Sequence, residues 1–136
     1  MSCMNMCIRN TVIIQGSTPT LIIDLDYDIS DPQTENEQEY KDYWDVDLVI
    51  KYSLTDYFHY TKENDLTILP DEVNEEKCGC QCRGCTVYVD LTQEQTLKMK
   101  KKVYLQLEAK NMNSGFVLKT YEVPLDVYRT LDRTVM

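Results

Sequence analysis

Between Asp45 and Leu54 the chain places Val46, Leu48, Ile50, Tyr52 and Leu54 at every second position, interleaved with Asp45, Asp47, Lys51 and Ser53. Successive side chains of a strand point to opposite faces, so this period buries one face and wets the other, which a helix cannot do. Lys102–Lys110 repeats it, with Val103, Leu105, Leu107 and Ala109 inward against Tyr104, Gln106 and Glu108. Thr20–Asp28 sets Leu21, Ile23, Leu25 and Tyr27 opposite Asp24, Asp26 and Asp28, and a last segment sets Val123, Leu125 and Val127 opposite Pro124, Asp126 and Tyr128. Pro124 has no N–H for a ladder, so this last strand is expected at an edge or with a break there. Ten tyrosines, against only four Gly and four Pro, lean the same way, because Tyr, Val, Ile and Thr suit half-buried strands.

Shorter strands are expected at Thr11–Gln15, Tyr57–Thr61, Thr86–Leu91 and Phe116–Glu122. Asn111–Gly115 reads as a hairpin loop, since Asn and Gly accept positive φ, and it pairs the flanking strands antiparallel. One short helical turn is expected near 92–99. Thr92 caps it, Gln95 returns the bond, and Lys98, Lys100, Lys101 and Lys102 lie at its far end against the dipole. Seven or eight strands with one helical turn before the penultimate long strand predict an all-β, two-sheet antiparallel sandwich of immunoglobulin-like architecture. A jelly roll or small open barrel does not account for the turn.

At 136 residues the chain has room for one core. Residues 11–131 are expected to form it, with an unpatterned Met-rich arm at 1–10 that is flexible or ordered by a partner, and a tail at 132–136. Residues 30–43 and 70–85 read as long polar loops available to partners. A net charge of -9 opposes nucleic-acid binding, which draws on basic side chains, and no apolar run approaches the roughly 20 residues of a membrane span. The N-terminus lacks the basic start and apolar stretch of a signal peptide, so synthesis in a cytosol is expected.

Cys78, Cys80, Cys82 and Cys85 place four thiols in eight residues. They could hold zinc tetrahedrally, with Cys3 and Cys7 as further ligands, although the spacing departs from paired knuckles. A disulfide-bearing loop and free thiols without a role fit the same string. Asp24, Asp26, Asp28 and Glu35 imitate a calcium loop, but Ile29 stands where its glycine belongs, so they read as the wet face of a strand. His59, the sole histidine, sits in an alternating strand with no nucleophile motif around it. No catalytic or cofactor-binding residue is predicted, and the chain is not expected to be an enzyme.

The strings Gln15-Gly-Ser-Thr-Pro-Thr20, Val46–Leu54, Val87-Tyr-Val-Asp-Leu-Thr-Gln-Glu-Gln-Thr96 and Val103-Tyr-Leu-Gln-Leu107 resemble a group of small proteins encoded by tailed phages and prophages of gut bacteria. The resemblance spans about residues 12–131 and departs at the Cys-rich loop and the acidic 30–43 segment. It implies a virion structural component of the head, neck or tail and baseplate, made in the bacterial cytoplasm and assembled with other virion proteins. The alternative function is a metal-thiolate or redox module built on Cys78–Cys85.

Overall fold

The computed structural model describes residues 3–10, 12–71 and 84–129. In chain order the strands are β1 (Cys3–Met4), β2 (Met6–Ile8), β3 (Val12–Ile14), β4 (Thr20–Leu25), β5 (Trp44–Lys51), β6 (Tyr57–Thr61), β7 (Leu66–Pro70), β8 (Cys85–Asp90), β9 (Lys102–Asn111), β10 (Val117–Thr120) and β11 (Val123–Tyr128). Two short helices, α1 (Glu35–Tyr40) and α2 (Gln93–Lys98), interrupt them. The molecule is mostly β and sandwich-like. One sheet runs β2, β4, β8, β7, antiparallel throughout. In the other, β9 pairs with β5 along one side, and β6 lies beyond β5. On its other side β9 is shared by β10 and β11, one after the other, and β1 and β3 add to these in parallel.

The inward residues of the long strands close one core. Leu21, Ile23, Val87 and Val89 of one sheet face Leu48, Ile50, Leu105 and Leu107 of the other, all with essentially no solvent exposure. Each buried Leu or Ile contributes roughly 1.5–3 kcal/mol, so the period-two pattern is the main source of stability. The Asn111–Gly115 hairpin forms as expected: Gly115 has φ 79°, and Asn111 Oδ1 accepts from the N–H groups of Asn113 and Ser114. At α2, Thr92 Oγ1 accepts from Gln95 N at 3.1 Å while the Gln95 side chain accepts from Thr92 N at 3.0 Å, the reciprocal cap predicted there.

Several expectations are corrected. Residues 3–8 are not an arm, because β1 and β2 belong to the two sheets and Met4 is 1% exposed. Short strands with no visible period escape pattern reading. The 30–43 segment is not a plain loop: α1 forms within it, capped by Thr34, and Ser30 is fully buried. β7 was not anticipated. β5 ends at Lys51, leaving Leu54 93% exposed in the following turn, and β4 ends at Leu25, so Tyr27 is exposed as well. Pro124 marks a break more than an edge. Residues 121–122 separate β10 from β11, and β3 joins β11 only from Asp126 onward, so no strand needs a donor from Pro124 on that side. Thr120 patches the interruption: its Oγ1 accepts from Leu107 N and its carbonyl from Gln106 Nε2, each at 3.0 Å.

Candidate interaction surface

Cys78, Cys80 and Cys82 of the expected metal set lie outside the described residues. Cys85 opens β8, where it is fully buried and its thiol donates to the Tyr27 carbonyl at 3.4 Å. Beside it, a Cβ on Gly84 would come within 2.4 Å of the Tyr27 carbonyl carbon. This glycine permits close packing of two chain segments, a role the string Arg-Gly-Cys does not reveal. Among the described residues no three His, Cys, Asp or Glu side chains are placed to hold a metal ion.

The acids of the calcium-like run serve the fold separately. Asp24 is not on a wet face: it is fully buried, its two oxygens accepting from Arg9 Nε at 2.9 Å and Nη2 at 3.0 Å, with Thr86 Oγ1 at 3.3 Å. A paired guanidinium and carboxylate are what make a buried charge tolerable. Asp26 accepts from Asn5, and Asp28 from Ser30, while Lys41 lies 3.0 Å from Asp28. Lys62 pairs with Asp31 and also donates to the Trp44 carbonyl at 2.8 Å. Asp42 receives the side-chain amides of Asn111 and Asn113, both at 2.7 Å, and these bonds hold its carboxyl below its usual value. The acidic connection from β4 to β5 is therefore tied to its own domain.

His59 stands on the outer face of β6 with Nε2 2.9 Å from Asp47 Oδ1, a cross-strand pair on an exposed surface. No hydroxyl or thiol nucleophile joins it among its described contacts.

The strand that carries His59 has the more consequential geometry. Lys62 N donates to Val46 O, and Tyr52 N to Asp56 O, each at 3.1 Å. Bonded and non-bonded pairs alternate along an antiparallel ladder, so Leu48 with Tyr60 and Ile50 with Phe58 exchange the bonds between β5 and β6. Tyr57, His59 and Thr61 consequently aim their backbone groups away from β5. Thr61 is already served by Asp65, whose Oδ2 accepts from Thr61 N at 2.9 Å and whose N–H donates to Thr61 O at 2.8 Å. The N–H and C=O groups of Tyr57 and His59 have no protein partner among the described residues. Native sheets usually blunt such edges with Lys, Pro or a bulge, and Tyr57-Phe-His-Tyr-Thr61 carries none of these. Sequence analysis identified the strand but not this edge, because alternation reports which face is wet and not which strand is outermost.

Compared with known proteins, the chain matches no family model and is significantly similar to no curated protein. No described helix is long and apolar enough to cross a membrane.

Proposed function

We propose that the protein is a non-enzymatic structural and interaction module of a tailed-phage virion, an immunoglobulin-like sandwich that binds neighbouring virion proteins. The strand orders support the architectural part. β2-β4-β8-β7 matches the ABED sheet of that architecture, and β10/β11-β9-β5-β6 matches GFC with the added C′ strand of the variable type. The virion assignment rests on the motif resemblance. The single observation that carries the interaction reading is the open edge of β6, where four backbone groups are ready to accept a neighbour's strand.

Mass spectrometry of purified particles tests the first part, and absence of the chain from them would end it. His59→Pro tests the edge. The His59 N–H makes no bond to β5, so proline there leaves the β5–β6 ladder intact and removes the outward donor together with the exposed imidazole–Asp47 pair. The isolated variant should melt close to wild type while its incorporation into particles falls at least tenfold. Undiminished incorporation would show that the contacts lie elsewhere.

A further inference from the structure

The exposed large apolar side chains are concentrated at the two ends of the sandwich, and the ends differ in charge. At the end that holds α1, Tyr27, Tyr40, Tyr43, Met112 and Phe116 are exposed, Tyr40 by 75%. The Met112 N–H donates to the Tyr43 carbonyl, which brings the 111–116 hairpin to this end, and the Lys62–Trp44 bond brings the 62–65 turn. Glu35, Glu39, Asp45 and Glu63 lie here, and among the described residues no cation lies within 4 Å of them.

At the opposite end, Leu54, Tyr57, Leu97, Tyr104 and Tyr128 are exposed around α2. Gln15 holds this region together, its Nε2 donating to the carbonyls of Leu97 and Met99 and its N–H to that of Tyr128. Lys51, Lys98, Lys100, Lys101 and Arg129 project here without a carboxylate within 4 Å among the described residues. A recess of about 300 Å³, lined by Lys51, Leu54, Lys102, Tyr104 and Glu122, opens on the same side. Asp56, Asp90, Glu94 and Glu122 lie at this end too, so in a chain of net charge -9 the local excess of cations is concentrated on Lys98, Lys100 and Lys101, which have no carboxylate partner among the described residues.

We propose that the α1 end of one copy docks on the α2 end of the next, giving head-to-tail association of this chain. It rests on the reading of the protein as an assembly module and names one partner, a second copy. Opposite charge at the two ends sets the polarity, and the exposed tyrosines of both, with Met112 and Phe116 at one and Leu54 and Leu97 at the other, supply the apolar area that charge alone does not. The overall negative charge does not forbid the contact. The Debye length is about 8 Å at physiological ionic strength, so distant carboxylates are screened and the facing end groups dominate. The same patch does not meet itself, so the contact is heterologous and extends to a ring or an open row.

Sedimentation velocity of the full chain in physiological salt, up to millimolar concentration, tests this with two variants. Lys98→Glu, Lys100→Glu and Lys101→Glu together reverse the sign of the basic cluster, and Glu35→Lys, Glu39→Lys and Glu63→Lys together reverse that of the acidic one. Circular dichroism confirms that each folds. The wild type should sediment faster as concentration rises, and each variant alone should remain monomeric. An equimolar mixture of the two should associate again, because each then meets an end of opposite charge. A wild type monomeric throughout, a variant that associates as the wild type does, or a mixture that stays monomeric overturns the proposal. A monomeric chain that is nonetheless present in particles would remove head-to-tail contact alone and leave the assembly reading in place.

Discussion

Single residues depart from the alternating pattern where a polar group is buried, and Asp24 and Tyr60 do so with opposite outcomes. Asp24 occupies an outward position of β4 yet meets Arg9, fifteen positions earlier, in two bonds. Nothing local announces that pairing, which is why alternation misassigned it. Tyr60 faces the core, and its hydroxyl has no hydrogen-bond partner among the described residues. Burial pushes its phenol pKa up, with the Asp65 carboxylate adding to the effect. A folded pKa above the unfolded one means that the neutral ring contributes stability at neutral pH, which is lost as pH rises beyond the ordinary phenol value of 10.0. Tyr60→Phe removes an unsatisfied polar atom, so urea unfolding at pH 7 should show a change within about 1 kcal/mol, neutral or stabilising. Above pH 10 the variant should gain further on the wild type. A loss of more than about 1 kcal/mol at pH 7 would reveal a hydroxyl partner.

Secondary-structure elements were legible in proportion to their length. β5 and β9, with eight and ten residues, show enough period-two repeats to identify their inward face. β1 and β2 are too short for a period, and in β7 the adjacent Ile68 and Leu69 and the closing Pro70 blur one, so pairing with neighbours creates all three. α2 was legible for a different reason, since its reciprocal cap is written in residue types at a fixed spacing. Within β9 the two faces should separate sharply. Leu105→Ala should destabilise by about 2–4 kcal/mol, the range for emptying a filled core site. An unchanged unfolding midpoint would contradict the packing. Gln106→Ala should cost about 1 kcal/mol, more than an idle surface position, because its amide bridges to the Thr120 carbonyl across the break between β10 and β11. The sequence showed Gln106 as an outward residue and nothing more, as the break itself is a property of two strands sharing one side of a third.

At the scale of the whole molecule, the sandwich was readable from strand count and spacing, whereas the strand order and the difference between its ends depend on contacts far apart in the chain. Cys3 lies beside Lys119, and Ile14 beside Tyr128. Such long loop closures must be made before their bonds repay them, so refolding from denaturant should take milliseconds to seconds. Stopped-flow fluorescence of Trp44 measures it, and completion in microseconds would be incompatible with this topology. The opening segment enters one sheet at β1, the other at β2 and returns to the first at β3. On a translating ribosome β1 and β3 must therefore wait for β10 and β11, the strands beside which they will lie. They emerge well before their seats exist, and a nascent chain stalled before β10 leaves both β1 and β3 without their partners and one whole side of β9 open to aggregation.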